Sequence, residues 1–374
     1  MKIALDRDGT VDGFQKAIAD VQGQNGVDGL LILTCYDNGF TPETLDPVLA
    51  EIPIPVFGGC FPGIFHQDQV YDSGTVVVGL PVKPVIQRIE DINNNCGNFD
   101  DVIDSALFED IRSGTMVVLV DGMSLRVNTF LESVFNEIGT QVNYIGGGAS
   151  SMDFMDTPCL ITNAGFTQNC AILAYLPMAS GVGVAHGMTS VGGPYKVTSS
   201  SFNTVKSIEW KPAASFYKET LATCPECDTS RASLIETDAH YSLGLNRLDA
   251  ERIILEPFKI DQDNALCFMQ EVREGEFVDI MHVSDESMIQ SAANALTQAG
   301  SEFDDEDSLE TLITFDCISR KMFLADRFVD ELSAINVTGK THVGALTVGG
   351  EIGCDGKDFL DYHNRTCVVG AFGS

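Results

Sequence analysis

The chain has 374 residues, of which 44% are hydrophobic and 20% are charged, and its formal net charge is −32. This length and apolar content suffice for a folded protein of about two domains. An acidic surface repels nucleic-acid phosphates and anionic lipid headgroups, which excludes nucleic acid and membrane surfaces as expected partners.

Neither a targeting segment nor a disulfide framework is indicated. Met1–Asp6 turns acidic at once and lacks the apolar segment of a signal peptide. No apolar run in the sequence approaches the roughly 20 residues that a membrane helix needs. The 11 cysteines are an odd number and lie in strand-like runs, a pattern typical of reduced, buried thiols. We therefore expect a cytoplasmic protein without membrane insertion.

Residues 1–80 predict a leading strand and helix, and then the first of three similar units. Each unit has an apolar strand, an amphipathic helix, a strand that ends in glycines, and a returning strand. The predicted elements are the strand Lys2–Leu5, a helix with Phe14, Ile18 and Val21 on one face, the strand Gly29–Cys35, a helix that begins at Pro42, a strand that runs through Val56 into Gly58 and Gly59, and the strand Thr75–Leu80.

Within this segment, Asp6-Arg-Asp-Gly-Thr10 resembles the opening motif of haloacid-dehalogenase-like phosphatases. In that family the first aspartate is the nucleophile and the second is a general acid, roles that would fall on Asp6 and Asp8. Thr34 imitates the second motif, but Asp100-Asp101 follows a polar stretch, where a Mg²⁺ site requires a buried strand. Because Asp-Gly is also a common turn, a Mg²⁺-dependent phosphatase is the least favoured hypothesis.

The second unit follows a predicted helix around Val102–Ile111. Its own helix is the clearest of the chain, since apolar residues recur at helical spacing from Val127 to Ile138. Its predicted strands are Thr115–Val120, the strand Val142–Ile145 that runs into Gly146, Gly147 and Gly148, and a hairpin of Cys159–Asn163 with Gln168–Leu176.

Residues 181–300 do not repeat the unit. Gly181–Trp210 is rich in Gly, Ser, Val and Thr and predicts irregular strands. A predicted helix at Pro212–Leu221 marks the domain boundary, which gives domains 1–212 and 213–374. The elements predicted beyond it are the strands Arg252–Leu255 and Ala265–Phe268, the helix Ser287–Ala299 and an acidic linker at Asp304–Asp307.

The third unit closes the chain. Its predicted elements are the strand Leu312–Phe315, a helix with Leu324, Phe328, Leu332 and Ile335, the strand Val343–Val348 that runs into Gly349 and Gly350, and the strand Thr366–Phe372. These patterns predict an α/β protein of two domains with mixed β-sheets flanked by helices, built from repeated βαββ units. Open α/β sheets bind ligands at strand ends, and glycine permits close approach to the main chain. We therefore expect the three glycine-rich strand ends, Gly58-Gly59, Gly146–Gly148 and Gly349-Gly350, to lie together around a small-ligand site.

Several motifs, in this order, resemble the FIST family (F-box and intracellular signal transduction). They are Tyr144–Ala149, His186–Thr198, Pro212 with Tyr217, Phe315–Arg320, Gly349–Ile352 and Tyr362–Thr366, and the resemblance extends from about Gly29 to Phe372. It implies an N-terminal and a C-terminal FIST domain that act as an intracellular sensor of a small ligand, with amino acids proposed. For a subset of the family it implies haem binding, nitric oxide sensing and a partner histidine kinase.

The sequence departs from many members of that family in two ways. We find no F-box, kinase, cyclase or chemotaxis module beside the FIST-like region, so we expect the output to pass through a separate signalling protein. Ile318 stands where the family pattern has a smaller residue, which puts the local turn after Cys317 in doubt.

Arg320 and Glu351 are the charged candidates for ligand binding. A guanidinium holds a carboxylate through paired donors, and Glu351, beside Gly349-Gly350, is placed to take an ammonium group. Together they would suit a zwitterionic amino acid. The alternative is an internal Arg–Glu ion pair that fixes two strand ends.

His186 and His363 are the histidine candidates. Either imidazole suits a hydrogen bond to a ligand or axial ligation of haem, and the alternative is a structural bridge between backbone groups. Asn364 would contact the ligand or cap a turn.

The cysteines offer two weaker possibilities. Cys317 with His363 would form a thiol–imidazole pair for acyl transfer, unless Cys317 is a buried thiol that packs as a small hydrophobe. Cys224-Pro-Glu-Cys227 has the spacing of a metal knuckle but lacks a second pair. Asp228 follows it in place of histidine, which excludes covalent haem attachment of the c type.

The favoured hypothesis is a non-catalytic sensor that binds an amino acid or a similar metabolite between the two domains. No catalytic residue and no metal ligand is predicted, and non-covalent haem is the alternative. The predicted ligand-binding residues are Gly58, Gly59, Gly146, Gly147, Gly148, His186, Cys317, Arg320, Gly349, Gly350, Glu351, His363 and Asn364.

Overall fold

The structure, a computed structural model, describes residues 1–93, 97–108, 111, 113–153, 155–223, 240–247, 251–303, 308–354 and 359–373. Over these ranges, none of the helices combines the length and the apolar character that a membrane span requires. The cysteine pair Cys224–Cys227, which has the spacing of a metal knuckle, and the acidic run Asp304–Asp307 lie outside the described residues.

The chain contains three repeats of one pattern. Each repeat has a leading strand, a first core strand, a helix, a second core strand, a hairpin and a return strand. Repeat 1 comprises β1 (Lys2–Asp6), α1 (Val11–Gln22), β2 (Gly29–Cys35), α2 (Pro42–Ala50), β3 (Val56–Phe61), β4 (Gly63–His66), β5 (Gln69–Tyr71) and β6 (Thr75–Leu80). Repeat 2 comprises β7 (Val85–Glu90), β8 (Thr115–Asp121), α3 (Val127–Ile138), β9 (Asn143–Ala149), β10 (Leu160–Thr162), β11 (Gly165–Thr167) and β12 (Cys170–Leu176).

Repeat 3 carries a large insertion after its leading strand, β13 (Ser180–Ala185). The insertion comprises β14 (Thr189–Ser201), β15 (Thr204–Ile208), β16 (Lys211–Pro212), α4 (Ala213–Thr223), β17 (Tyr241–Leu245), β18 (Ile253–Leu255), β19 (Pro257–Ile260), β20 (Leu266–Phe268) and β21 (Phe277–His282). The repeat then continues with α5 (Asp285–Gly300), β22 (Leu309–Cys317), α6 (Ile318–Leu324), α7 (Phe328–Ile335), β23 (Thr341–Thr347), β24 (Glu351–Cys354), β25 (Tyr362–His363) and β26 (Cys367–Gly373).

In every repeat, the first core strand lies between its parallel second core strand and its antiparallel return strand. Thus β2, β8 and β22 pair in parallel with β3, β9 and β23, and antiparallel with β6, β12 and β26. The leading strands β1, β7 and β13 pair antiparallel with the outer edges of the return strands β6, β12 and β26. The register also repeats, because Ile32, Val118 and Thr314 face Gly58, Gly146 and Gly344.

The hairpins are exchanged between repeats in a closed cycle. β4 of repeat 1 pairs with β23 of repeat 3, β10 of repeat 2 pairs with β3 of repeat 1, and β24 of repeat 3 pairs with β9 of repeat 2. The three repeats therefore interlock with pseudo-threefold symmetry. Strands from both sides of residue 212 share sheets, and residue 212 itself lies in the insertion, so the division into 1–212 and 213–374 stays a prediction.

Burial explains why the core strands have continuous apolar sequences. All seven residues of β2 and all seven of β8 are buried, as expected for strands covered on both faces. The apolar stripe of α3, from Val127 to Ile138, packs against the face of β8 that carries Met116, Val118 and Val120. In repeat 3 the helix breaks between α6 and α7 at Ala325, whose φ of 49° lies in the left-handed region.

The predicted α/β class with mixed sheets is confirmed, and all three βαββ units are present. Three local predictions are wrong. The described part of Val102–Ile111 forms only a 3₁₀ turn at Ser105–Phe108. Gln168–Leu176 is not the hairpin partner of β10, because β12 pairs with β7 and β8. The glycines of β3 and β9 lie inside the strands and do not end them.

Candidate functional site

The glycines of the second core strands allow these strands to lie close to the first core strands. Gly58, Gly146 and Gly344 are buried, and a Cβ at each would overlap the carbonyl oxygen of the facing residue on the first core strand. Glycine is therefore needed here for close approach of two backbones. By register, the third-repeat equivalent of Gly58 is Gly344, and the predicted Gly349-Gly350 lies beyond the strand.

The glycine segments of repeats 2 and 3 do meet. The Gly148 N–H donates to the Gly350 carbonyl at 2.9 Å, and the Val348 N–H donates to the Gly148 carbonyl at 3.0 Å. The Tyr362 hydroxyl packs against Gly148 and Gly349, where a Cβ would approach it closely. The fold thus uses these main-chain groups itself, and these glycines line neither of the two cavities described below.

Glu351 is a buried carboxyl group at this junction. It begins β24 opposite Gly147, its Oε1 lies 2.5 Å from the Thr347 hydroxyl, and its Oε2 accepts the Thr366 N–H at 3.2 Å. Burial raises the pKa of Glu351 to about 8, so the carboxyl group is mostly protonated at neutral pH. A neutral acid is a poor counterion for the ammonium group that we assigned to it.

Arg320 is a fully buried structural residue. Its partners are the Glu331 carboxylate at 2.8 Å, the Asp316 carboxylate at 3.1 Å, the carbonyls of Arg365 (3.1 Å), Met288 (3.0 Å) and His186 (3.3 Å), and the Ser291 hydroxyl at 3.2 Å. Every arm of the guanidinium is occupied, so the predicted carboxylate clamp with Glu351 is wrong. Arg320 does form internal ion pairs, as the alternative expected, but its partners are Glu331 and Asp316 and not Glu351.

The same cluster contains the one group of potential metal ligands found within the described ranges. Donor atoms of Asp316, Glu331 and Cys367 lie within 4.8 Å of one another and are buried. The Arg320 guanidinium already supplies a cation to both carboxylates. Burial, followed by the neighbouring Glu331, raises the pKa of Asp316 well above its usual range. Arg320 and protonation of Asp316 therefore balance the buried charge without a metal ion.

Cys317 is an unreactive thiol in this environment. It precedes α6 and contacts the Ser319 hydroxyl at 3.0 Å. Burial, with Glu351 nearby, raises the pKa of the Cys317 thiol well above its usual range. A nucleophilic cysteine requires the opposite shift, so acyl transfer by Cys317 with His363 has no support. Asn364 is buried and accepts a hydrogen bond from the Thr366 hydroxyl at its carbonyl, at 2.7 Å, which fits the turn alternative.

His186 does not fit haem ligation. Its Nδ1 accepts the Met188 N–H at 2.9 Å, so the neutral imidazole carries its proton on Nε2. Nε2 lies 3.7 Å from the Glu251 carboxylate, and burial lowers the pKa of His186 to about 3. Neither nitrogen offers a free lone pair to iron. Neither His186 nor His363 lines the two cavities described here, so the geometry gives no support to a haem site at these residues.

The Asp6 segment forms a turn. The Asp6 carboxylate accepts the N–H groups of Asp8 at 3.0 Å and Gly9 at 3.2 Å. Its strand, β1, is an antiparallel leading strand at a sheet edge. Asp6 therefore has the turn role that the Asp-Gly sequence also allows.

A narrow groove combines charged residues from distant parts of the chain. It has a volume of about 50 Å³ and is lined by Asn128, Glu132, Arg247, Glu271, Arg273, Glu276, Leu360, Asp361 and Tyr362. The Arg247 guanidinium lies 3.7 Å from Glu276 and 3.5 Å from Asp361. Arg273 lies 3.0 Å from Glu132 on α3. The buried Asn128 Oδ1 has no hydrogen-bond partner within the described part of the chain.

Two family models match the chain, that of the FIST N domain at residues 29–211 and that of the FIST C domain at residues 213–354. The chain belongs to the FIST family. FIST domains are sensor domains of signal transduction. A search of curated proteins found no match to this chain.

The groove lies where the two FIST segments meet. Asn128 and Glu132 belong to the FIST N segment, and Arg247 and Arg273 belong to the FIST C segment. Sequence analysis missed these residues because they form no local motif. The only signal in the sequence was the alternation of charges at 271–276, which is equally typical of an exposed hairpin.

Proposed function

We propose that this FIST protein senses a small zwitterionic metabolite, an amino acid or a related molecule, which binds in the groove between its FIST N and FIST C segments. The observation that carries the proposal is the pairing of a loosely held guanidinium with an unsatisfied acceptor. Arg247 and Asn128, which both line the groove, provide these groups.

The distances favour exchange of the Arg247 ion pairs for a ligand. Charge-assisted N–H···O bonds are typically about 2.8 Å long, and the two contacts of Arg247 are 3.5 and 3.7 Å. A ligand carboxylate therefore competes for Arg247, while the ligand ammonium group satisfies Asn128 Oδ1 and one released carboxylate. A volume of about 50 Å³ suits water only, so binding has to widen the groove.

Widening of the groove provides a route to signal output. Asp361 and Tyr362 line the groove and adjoin β25, which pairs with β24. β24 in turn joins repeat 3 to repeat 2. Displacement of this hairpin would change how the repeats interlock. The ligand-bound and ligand-free proteins would then differ in conformation, and a receiver can recognise that difference. We propose a separate signalling protein, such as a histidine kinase, as that receiver.

Isothermal titration calorimetry with a panel of amino acids and related acids tests the proposal. We expect at least one saturable ligand that also raises the melting temperature. Arg247→Met and Asn128→Ala should each weaken its binding by about tenfold or more. Arg327→Met, in an exposed network outside the groove, should leave the affinity unchanged. Flat titrations and flat melting curves for the whole panel would refute the proposal.

A further inference from the structure

A larger cleft opens at the N-terminal ends of the core strands of repeat 1. Its volume is about 890 Å³, and small-molecule sites typically measure about 300–1,000 Å³. Ile52–Val56 forms an apolar wall of the cleft, which Ile86 and Arg88 of β7 and the β10–β11 turn at Asn163 also line. The cleft lies in the FIST N part of the chain and shares no residue with the groove.

Comparison with the neighbouring repeat explains why this cleft is open. At the equivalent junction between repeats 2 and 3, the Thr115 hydroxyl donates to the Ser180 hydroxyl at 2.7 Å, and the Asn143 amide donates to the Ser180 carbonyl at 2.5 Å. By register, Thr115 and Asn143 correspond to Gly29 and Pro55. Neither of these has a side chain that can form hydrogen bonds, so repeat 1 lacks the contacts that close the junction.

The apolar wall of the cleft is held rigidly. The Asn163 amide donates to the carbonyls of Ile52 and Ile54 at 3.1 Å each, and its oxygen accepts the Val56 N–H at 2.8 Å. Pro53 and Pro55 fix φ between these contacts. A wall that is ordered before binding reduces the entropy lost when a ligand binds.

Arg88 supplies an unsatisfied donor to the cleft. Ile86, Arg88 and Glu90 alternate along β7 and therefore share one face of the strand. One arm of the Arg88 guanidinium contacts Glu90 at 2.5 Å. The other, Nη1, is buried and has no hydrogen-bond partner among the residues that the structure describes. Leaving such a donor unpaired is unfavourable, so an acceptor on a ligand would gain the most from this position.

The remaining charges that line the cleft are Lys83, a second cation, and the carboxylates of Asp28 and Glu90. Since Glu90 engages only one arm of Arg88, the free arm and Lys83 remain for an anionic group. Beside the polar Thr162 and Asn163, the other lining residues are apolar, chiefly Ile54, Pro55 and Ile86. This combination suits a molecule with one charged end and a hydrocarbon body.

We propose that this cleft is a second binding site, independent of the groove, for a small monocarboxylate with an apolar body. The carboxylate accepts from Arg88 Nη1, and the hydrocarbon part lies against Ile54, Pro55 and Ile86. The FIST N segment would then bind a ligand that is separate from the ligand of the groove.

The test uses hexanoate and its neutral analogue hexanamide, titrated calorimetrically into the full-length protein. We expect saturable binding of hexanoate and about tenfold or more weaker binding of hexanamide, because only the carboxylate forms the charge-assisted bond. Arg88→Met should lower the hexanoate affinity to that of hexanamide. Ala164→Trp places a large ring at an exposed position of the cleft and should abolish the binding of both.

Arg247→Met is the matched control and should leave hexanoate binding unchanged, just as Arg88→Met should leave amino-acid binding at the groove unchanged. Melting curves of each variant establish that it is folded. Equal affinities for hexanoate and hexanamide, an unchanged affinity in folded Arg88→Met, or the absence of saturable hexanoate binding would each overturn the proposal, whatever the outcome at the groove.

Discussion

Glu351 stands opposite Gly147 at the position that Leu160 occupies opposite Gly59. The exchange of hairpins makes the two sites equivalent, and both side chains are fully buried. The Thr347 hydroxyl has a single proton, yet it lies 3.0 Å from the Asp316 carbonyl and 2.5 Å from Glu351. Both contacts are hydrogen bonds if Glu351 is protonated, because Glu351 then donates to the Thr347 hydroxyl while that hydroxyl donates to the Asp316 carbonyl. One of three equivalent junctions thus contains a neutral acid.

Glu351→Gln should therefore remove a pH dependence of stability. The pKa of Glu351 is raised from 4.5 to about 8 in the folded state, so its protonated form stabilises the fold fully below the unfolded pKa. That contribution is lost as the pH rises through the folded pKa. Relative to the Gln variant, wild-type stability should fall by on the order of 4 kcal/mol between about pH 4.5 and 8.

Urea unfolding at a series of pH values measures this difference. Glu137→Gln, at an exposed position of α3, is the control and should follow the wild-type profile apart from a small offset. Parallel profiles for the wild type and Glu351→Gln would show that Glu351 is ionised in the folded protein, contrary to the hydrogen-bond pattern.

Arg320→Met should destabilise the protein strongly. It leaves the carboxyl groups of Asp316 and Glu331 buried without their cation, and removal of one partner from a buried pair typically costs about 3–5 kcal/mol. Arg327→Met is the matched control, because it removes contacts to Asp285, Glu286 and Asp330 at an exposed position. Exposed pairs contribute about 0–1 kcal/mol. Similar urea midpoints for the two variants would argue against a structural role for Arg320.

The repeated unit was predictable from sequence because each part of it has a local signal. Continuous apolar runs predicted β2 and β8, and helical spacing predicted α3. The exchange of hairpins was not predictable, because antiparallel pairing of Glu351 with Gly147 joins residues about 200 positions apart. Without that pairing, Gly349-Gly350 was mistaken for the equivalent of Gly58-Gly59.

The site was less predictable than the fold for the same reason. Internal pairing of Arg320 was only the alternative to ligand binding, and its partners lie on β22 and α7, four residues before it and eleven after it. The groove joins α3 to residues of the insertion and to the segment before β25. None of these residues belongs to a motif, so only their positions in three dimensions bring them together.

His186 should remain a neutral imidazole with its proton on Nε2 from about pH 5 to 8, because burial lowers its pKa to about 3 and Nδ1 accepts the Met188 N–H. Two-dimensional ¹H–¹⁵N spectra of the imidazole nitrogens report both the tautomer and the charge. Free imidazoles in solution, with a pKa near 6.5, provide the titrating reference for these spectra. A His186 signal that titrates with them, or that places the proton on Nδ1, would reopen the question of metal ligation.

Gly58→Ala and Gly146→Ala should both destabilise the fold, because the new Cβ would overlap the carbonyl oxygens of Ile32 and Val118. Gly146 also has a φ of 150°, which disfavours any side chain. The overlapped atoms are backbone atoms of buried parallel strands, so the overlap is relieved only if the strands separate. We therefore expect each variant to lose about 3 kcal/mol of unfolding free energy.

Gly300→Ala is the control, because the new methyl group at the end of α5 would meet no atom within 4 Å beyond its own helical turn. This substitution should be neutral or stabilise by about 0.5–1 kcal/mol. If all three variants unfold at the same urea concentration, the glycines of the core strands have another purpose, and a role in ligand access becomes the next hypothesis to test.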